Sequence, residues 1–253
     1  MSEINVSIVM ATYNGDTYIF EQMQSILKQL GDEDEVIVSD DHSSDATASL
    51  IQGLADRRIR VVKPPMPQGP IFNFDHGLAH ARGSIVVLSD QDDVWLPGRL
   101  AVIRDYFSKS PHTYDLLVLD SEVVDESLQT IEPSVFNLLN AGVGLLKNIY
   151  RNTYIGCHMA FKRALLDVAT PFPRRIPMHD VWLGLASELV GQVTFRPGRS
   201  MLFRRTGKNY TKSKYPWHTR ITWRLNLVAA LLRFALSKQA GQGQARFPGG
   251  YGA

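Results

Sequence analysis

The sequence has almost no cysteine and no hydrophobic run long enough to cross a bilayer. Cys157 is the single cysteine among 253 residues, so no disulfide can form within the chain, as is usual in a reducing compartment. The apolar run at residues 6–10 is too short and wrongly flanked for a signal peptide, and no stretch reaches the roughly 18 apolar residues of a membrane span. These absences predict a cytoplasmic protein.

Acidic residues are absent from the last part of the chain. No Asp or Glu follows Glu188, whereas twelve of the 27 Lys and Arg residues lie between Arg196 and Arg246. The formal net charge of the whole chain is only +2, so an acidic first part precedes a basic second part. A basic segment of this kind binds nucleic acid, acidic lipid headgroups or the diphosphate of a substrate, or it is simply a solvated face.

Two common nucleotide-binding motifs are also missing. No Gly-x-Gly-x-x-Gly follows the first predicted strand, and the segment 207–209 has neither the strand nor the Ser or Thr of a phosphate-binding loop. The usual dinucleotide and P-loop sites are therefore excluded.

The chain contains alternating strand and helix patterns instead. Apolar runs rich in β-branched residues predict strands, and apolar residues at helical spacing predict the helices between them. This order, with short polar loops, predicts an α/β fold with a doubly wound sheet and right-handed crossovers. The predicted strands are 6–10, 35–39, 59–62, 85–88, 116–120, 153–162, 193–196 and 201–205, and the main predicted helices are 19–30, 72–81, 100–109, 134–140 and 180–190.

Three carboxylates directly follow the apolar segment at residues 85–88, in the sequence Asp90-Gln91-Asp92-Asp93. Parallel sheets bind ligands at the carboxyl ends of their strands, and carboxylates there suit a magnesium or manganese ion that also contacts a phosphate. In the alternative interpretation, Asp93 caps a helix that begins near Pro97, and Asp90 and Asp92 are solvated.

Polar clusters also lie at residues 11–15, 39–47 and 177–182. If the sheet is parallel, the clusters at 11–15 and 39–47 share one edge with the acidic run. Solvated loops without a function would have no reason to place Asp at that edge repeatedly. The combination of clusters is therefore a stronger signal than any one of them.

Together these motifs resemble the inverting glycosyltransferases of family two, over about residues 6–209. The similar segments are the opening strand and loop at 6–14, the Asp-Asp-x-Ser-x-Asp-x-Thr at 40–47, the helix end at 77–83 and the acidic run at 90–93. The resemblance implies the GT-A nucleotide-sugar-binding fold, with a mixed, mostly parallel sheet flanked by helices. It places a glycosyltransferase domain at 1–212, with a nucleotide-binding half at 1–100 and an acceptor-binding half at 101–212.

The resemblance also implies roles for individual residues. Asp92 would be the direct ligand of a manganese or magnesium ion, with Asp90 beside it near the sugar or ribose. His179-Asp180 is similar to the acidic pair that supplies the family's catalytic base, with His179 where many relatives carry Glu, so Asp180 is the implied base; its alternative role is to cap the helix that follows. The implied nucleotide-sugar-binding residues are Ala11, Thr12, Tyr13, Asn14, Asp40, Asp41, Arg82, Asp90, Gln91, Trp182, Arg204 and Arg205.

The activity that the resemblance implies is transfer of a sugar from a nucleotide diphosphate donor to a hydroxyl group, with inversion, in surface polysaccharide synthesis. The sequence Ser-Asp-Gln-Asp-Asp-Val-Trp is most similar to rhamnosyltransferases, which implies a dTDP-rhamnose or UDP-hexose donor and a glycan or lipid-linked acceptor. A sugar-phosphate nucleotidyltransferase and a non-catalytic nucleotide-sugar-binding subunit are the alternatives.

Residues 213–240 contain leucines at helical spacing with arginines between them, which predicts a basic amphipathic helix. Contact with the inner face of the plasma membrane, packing on the catalytic domain and a homodimer interface are open alternatives for it. Nucleic-acid binding is disfavoured, because the basic and aromatic residues follow an apolar stripe. Residues 241–253 are rich in Gly and Gln and are predicted to be disordered.

Overall fold

Apolar, β-branched segments form the strands of a central sheet. The structure, a computed structural model, describes residues 5–66, 69–206 and 216–239. The first and fourth strands are buried along almost their whole length, as expected of strands that helices cover on both faces. The strands are β1 (Val6–Thr12), β2 (Glu35–Asp40), β3 (Ile59–Val62), β4 (Ile85–Ser89), β5 (Val94–Trp95), β6 (Asp115–Leu119), β7 (Glu122–Val124), β8 (Thr130–Glu132), β9 (Met159–Lys162), β10 (Gln192–Arg196) and β11 (Met201–Arg204).

Amphipathic segments form helices at the predicted places, with ends that differ by a few residues, and the short helices Leu145–Tyr150 and Leu166–Ala169 were not predicted. The helix predicted at 72–81 begins at Pro70, because proline has the backbone angle of a first helical turn and needs no hydrogen-bond partner there. The helices are α1 (Ile19–Leu27), α2 (Thr47–Gly53), α3 (Pro70–Leu78), α4 (Arg99–Lys109), α5 (Val135–Leu139), α6 (Leu145–Tyr150), α7 (Leu166–Ala169), α8 (His179–Val190) and α9 (Trp217–Gln239).

The central sheet has seven strands in the order β10-β6-β9-β4-β1-β2-β3. β1 pairs in parallel with β2 and β4, and the pairs β2–β3 and β6–β10 are also parallel. β9 is antiparallel to both β4 and β6. The predicted fold class, a mixed and mostly parallel sheet flanked by helices, is confirmed, and the two predicted halves of the domain contribute strands to this one sheet.

Alternating side chains of the central strands point into two separate cores. Val9 and Val86 belong to the core on one face, together with residues of α3, α8 and α9. Ile8 and Val87 belong to the core on the other face, together with residues of α1, α2 and α4. Burial on both faces explains why these strands are continuous apolar runs without polar alternation.

A second, four-stranded sheet has the order β5-β11-β7-β8. β5 follows the acidic run at 90–93 directly and pairs antiparallel with β11, and β11 pairs in parallel with β7. The sheet therefore brings residues 201–204 beside the acidic run, although more than a hundred residues separate them in sequence.

The prediction of a strand at 153–162 is wrong for residues 153–158. Only Met159–Lys162 is a strand, and a short 3-10 helix at Gly156–His158 precedes it. The side chain of Thr153 bonds to Asn148 at 2.8 Å, which holds this segment away from the sheet.

The tail predicted to be disordered at 241–253 lies outside the described residues, as do residues 207–215. Among the helices that the structure describes, none combines the length and the apolar character needed to cross a bilayer.

Replacing Gly83 by alanine is expected to lower the free energy of unfolding by about 1–3 kcal/mol. A β-carbon there would lie 2.6 Å from the backbone nitrogen of Ser7 and 2.8 Å from the carbonyl carbon of Val6, and backbone atoms cannot move aside cheaply. The control is Gly53→Ala in α2, where a β-carbon meets nothing within 4 Å. Alanine should stabilise that position by about 0.5–1 kcal/mol. Urea unfolding compares the two, and equal stabilities would contradict the close packing before β4.

Candidate active site

The candidate site lies at the carboxyl ends of β1, β2 and β4. Because β1 pairs in parallel with both neighbours, the three strands end at one edge of the sheet. The loops that follow them contain the predicted polar clusters at 11–15, 40–47 and 90–93. The structure therefore brings these clusters together, as the motif pattern predicted.

The loops after β1 and β2 are tied to each other by hydrogen bonds. The backbone N–H of Asp41 donates to the carbonyl of Thr12 at 2.9 Å, and the N–H of Ser44 donates to the side-chain oxygen of Asn14 at 2.8 Å. Asp40 is fully buried and accepts the hydroxyl of Ser43 at 2.5 Å. Asn14 and Asp40 thus shape the loops, whereas Ala11, Thr12 and Tyr13 form the edge beside them.

Gln91 joins the acidic run to the loop after β1. Its side-chain oxygen accepts the N–H of Tyr13 at 2.9 Å, and its side-chain nitrogen donates to the carbonyl of Tyr13 at 3.1 Å. The ring of Tyr13 is 57% exposed, so it is accessible at this edge. Gln91 was predicted to bind the donor, but the structure uses its amide to fix Tyr13.

The three carboxylates of the acidic run have different environments. Asp93 is fully buried, and one of its oxygens accepts the N–H of Arg204 at 3.0 Å. It does not cap α4, since the residue before that helix is Gly98 in a left-handed conformation. The helix-cap interpretation of Asp93 is therefore wrong. Asp90 and Asp92 are only partly buried and remain accessible at the edge of the sheet.

Burial raises the pKa of Asp90 to about 7, and the neighbouring charge of Asp92 adds to this effect. The same causes raise the pKa of Asp93 well above its usual value. Among the described residues, one group could hold a metal ion: the ligand atoms of Asp90, Asp93 and Cys157 lie within 4.8 Å of one another. Asp92 does not belong to this group, so its role as the direct ligand stays a prediction.

The two predicted phosphate-binding arginines differ sharply in exposure. Arg204 is 3% exposed, and its guanidinium donates to the carbonyl of Asp92 at 2.8 Å and to a carboxylate oxygen of Glu21 at 2.5 Å. It therefore supports the acidic run from inside the protein, which corrects its assignment to the donor phosphates. Arg205 is exposed, and its positive charge favours the ionised form of Asp90. Of the two, Arg205 is accessible at the site.

Asp180 lies in the first turn of α8 and faces the acidic run. Burial raises its pKa to about 7, and the charge of Asp90 contributes to the shift. Its Oδ1 atom accepts the N–H of Val181 at 2.5 Å and the side-chain amide of Asn152 at 3.3 Å. Met178 is the residue that precedes the helix, so Asp180 is not its cap. The proposed base and the acidic run thus belong to one site.

His179, the residue before Asp180, is a core residue. Its ring packs against Phe74 in a tilted arrangement at 4.1 Å between centroids and lies nearly parallel to the ring of Phe172 at 6.4 Å. A β-carbon on Gly156 would lie 2.5 Å from its Nε2 atom, so glycine makes room for the ring. Neither ring nitrogen has a hydrogen-bond partner in the described part of the chain, and burial lowers the pKa to about 3. His179 is therefore neutral.

Two predicted donor-binding residues are wrong. Trp182 is fully buried, donates its indole N–H to the carbonyl of Ala169 at 2.8 Å and packs on Phe234 of α9, so it cannot stack on a sugar. The backbone N–H of Arg82 donates to Glu35 at 2.8 Å, at the amino ends of the strands and thus on the opposite edge of the sheet. In both cases a short local motif did not specify which way the residue faces.

Sequence reasoning missed two buried amides at the site. Gln22 donates to the hydroxyl of Ser89 at 2.9 Å and to the carbonyl of Asp90 at 3.1 Å. Asn73 donates to the carbonyl of Thr12 at 3.2 Å. A polar residue in the apolar stripe of a predicted helix is the signal by which both could have been found.

A model of the family described as Glycosyl transferase family 2 matches residues 7–168. The chain is 26% identical over 161 residues to the Escherichia coli protein UDP-Glc:alpha-D-GlcNAc-diphosphoundecaprenol beta-1,3-glucosyltransferase WfgD, a match that covers 61% of this chain and 63% of that protein. It is 37% identical over 121 residues to the Campylobacter jejuni GalNAc(5)-diNAcBac-PP-undecaprenol beta-1,3-glucosyltransferase, covering 46% of this chain and 39% of that protein. The chain therefore spans less than two thirds of these relatives.

A solved structure has the same fold. The crystal structure of S. aureus TarS in complex with UDP-GlcNAc matches with a TM-score of 0.69 and 20% identity, over 92% of this chain and 70% of that one. The likeness confirms the predicted GT-A fold.

Lowering the pH is expected to destabilise the protein in part through His179. Its pKa is about 3 when folded against 6.5 for a free histidine, so the stabilisation present above pH 6.5 is lost as the pH falls toward 3. The loss approaches about 1.4 kcal/mol per pH unit because only the unfolded state binds the proton. His179→Phe keeps an aromatic ring there and should flatten this slope in urea unfolding, whereas His112→Phe in an exposed loop should not. The same slope in both variants would contradict a buried, neutral His179.

Proposed function

Because this chain belongs to glycosyl transferase family 2, we propose that it transfers a sugar from a nucleoside diphosphate donor to a hydroxyl group of an acceptor. One observation carries the proposal: Asp180 lies close enough to the acidic run for the charge of Asp90 to raise its pKa. A carboxylate suited to remove a proton therefore adjoins carboxylates suited to a cation that binds a diphosphate. Inverting transfer from a nucleotide sugar requires a base for the acceptor hydroxyl and stabilisation of the departing diphosphate, which such a cation can supply.

The acidic run fits a divalent cation of the manganese or magnesium type. Asp90 and Asp92 offer carboxylate oxygens, which are the ligands that such ions prefer. Burial and the nearby negative charge disfavour ionised Asp90, and a cation would offset that cost. Cys157 is not expected to be a ligand, because manganese and magnesium prefer oxygen ligands to thiolates. A bound cation would supply Lewis-acid stabilisation of the departing diphosphate.

Asp180 is the proposed catalytic base. Its carboxylate takes the proton of the acceptor hydroxyl while that oxygen attacks the anomeric carbon on the face opposite the diphosphate, which inverts the centre. The hydrogen bonds from Asn152 and from the N–H of Val181 hold the carboxylate in a fixed orientation. His179 takes no part in the proton transfer, since its ring is buried in the core.

The donor is proposed to bind along the edge formed by Ala11, Thr12 and Tyr13, with Asp41 beside the nucleotide base and Arg205 beside the phosphates. The exposed ring of Tyr13 and the exposed guanidinium of Arg205 support this placement. Residues 11–15 contain no Lys or Arg, which disfavours the alternative of nucleotidyl transfer, where a basic loop follows the first strand.

The names of the relatives support a narrower choice of substrates. WfgD is named for UDP-Glc and a diphosphoundecaprenol acceptor, and the C. jejuni protein for a PP-undecaprenol acceptor. The crystallised TarS holds UDP-GlcNAc. For this chain we therefore propose a UDP-hexose donor and a lipid-linked glycan acceptor, used at the cytoplasmic face of the membrane in surface polysaccharide synthesis; the alternative dTDP-rhamnose donor has only the similarity of the acidic run to rhamnosyltransferases in its support.

A panel of nucleotide sugars is expected to give turnover of one donor class, and only when manganese or magnesium is added. Donor hydrolysis measures the turnover, and thermal shift measures binding of the same donors with and without the metal. The metal requirement is expected because the carboxylates of the acidic run repel a diphosphate unless a cation lies between them. Absence of binding by every nucleotide sugar would overturn the proposed activity.

Asp180→Asn and Asp92→Ala are expected to fail at different steps. Asp180→Asn should lower transfer by about 100-fold or more while donor affinity stays unchanged, because an amide cannot accept the proton. Asp92→Ala should weaken metal-dependent donor binding itself. Asp32→Asn is a matched control, since that carboxylate forms a surface ion pair with Arg57 away from the site. Full transfer activity in Asp180→Asn would remove it as the base.

A further inference from the structure

Helix α9 has an exposed apolar stripe on the face that points away from the rest of the protein. Leu227 and Phe234 on its inner face are buried against the core that contains α8. The residues of the outer stripe are separated by steps of four or seven residues, so they lie within an arc of about 100° around the helix. Its five residues are 45–74% exposed: Trp217, Ile221, Leu225, Leu232 and Leu236.

The stripe continues onto α6, which packs beside α9. Leu146 is 84% exposed and Tyr150 is 75% exposed. Arg224 joins the two helices, because its guanidinium donates to the carbonyl of Tyr150 at 2.6 Å and lies 5.2 Å from the centre of the Tyr150 ring. We call Leu146, Tyr150 and the five residues of the stripe the α6–α9 surface. Exposed apolar groups on this scale are typical of interaction sites.

The charged residues of α9 have one sign. α9 contains Arg220, Arg224, Arg233 and Lys238 and no acidic residue. Arg220 and Arg233 are exposed and, at about 100° per residue, lie on opposite sides of the apolar stripe. Large apolar side chains bordered by arginines are the pattern of helices that lie in the headgroup region of a bilayer. An anionic surface is therefore the complementary partner.

One end of the α6–α9 surface lies close in sequence to a residue that contacts Asp180. Tyr150 precedes by two residues Asn152, whose side chain donates to Asp180 at 3.3 Å. A lipid-linked acceptor held at this surface would therefore be near the proposed base.

We propose that the α6–α9 surface docks this protein on an anionic lipid bilayer, with the apolar stripe in the headgroup region and the arginines at lipid phosphates. The contribution of this docking to catalysis rests on the proposed function, because docking holds the active site next to an acceptor that is linked to a lipid. The docking itself needs neither donor nor acceptor, so it can be tested separately from activity.

The test is co-sedimentation of the full chain with vesicles of phosphatidylcholine, with and without phosphatidylglycerol, in the absence of any nucleotide sugar. We expect binding to the vesicles that contain phosphatidylglycerol and loss of that binding at high salt. The apolar variant Leu225→Gln/Leu232→Gln and the charge variant Arg220→Glu/Arg233→Glu should each weaken it about tenfold or more.

Matched controls come from exposed residues elsewhere in the structure. Ile131→Gln, at a site 59% exposed on β8, and Arg57→Glu, in a surface ion pair, should leave vesicle binding unchanged. Donor binding without vesicles should be equal in all four variants, which separates failed docking from a failed proposed function. If the double variants unfold, as circular dichroism would show, the single variant Leu225→Gln replaces them.

Three results would overturn the proposal. The first is absence of binding to anionic vesicles by the wild-type chain. The second is equal binding to vesicles without phosphatidylglycerol, since the arginines would then have no anionic partner. The third is a dimer in analytical ultracentrifugation that the Leu225→Gln/Leu232→Gln variant dissociates, because the surface would then bind a second copy of the chain.

Discussion

The parallel pairing of β1 with β2 and β4 is the constraint on which the site depends. In this register Thr12 lies opposite Asp40, and Met10 lies opposite Ser89, so all three strands end at nearly the same level. Their side chains are buried on both faces, and a slip of one residue would exchange the two cores. Hydrophobic packing on both faces thus fixes the height at which the polar loops meet, and the positions of the carboxylates follow from it.

Concentrating carboxylates at this edge works against stability. Burial and mutual repulsion oppose ionisation of Asp90 and Asp93, as their raised pKa values reflect. Arg204 offsets part of this cost, because its side chain donates to the backbone of the acidic run and its own N–H bonds Asp93. The second sheet positions that arginine, because β11 pairs with β5, which directly follows the acidic run. Asp90 and Asp92, which are only partly buried, lie where a ligand at this edge of the sheet can reach them.

The central sheet and the acidic run could be predicted from the sequence because their signals are local. Apolar runs specify buried strands, and acidic residues that directly follow a strand lie at the carboxyl edge of the parallel sheet. Of the second sheet, only the strand at 201–205 was predicted. Its other strands and its pairing could not be predicted, since the strands are two to four residues long and pair residues far apart in sequence. The same limit explains the errors at Trp182 and Arg204. Each side chain is buried by an element distant in sequence. The residues next to an aromatic or basic residue in a motif do not specify whether its side chain points into the core or into the site.

The start of α8 explains how His179 and Asp180 serve different purposes. Successive residues of a helix point about 100° apart, so one of two neighbours can enter the core while the other faces the site. His179 packs between Phe74 and Phe172, where a charged side chain would be costly, and its lowered pKa reflects that environment. A neutral aromatic ring at this position is therefore a packing requirement of the core, and it fixes the helix that presents Asp180. The proposed proton acceptor, Asp180, therefore has a neutral aromatic neighbour in place of an acidic one.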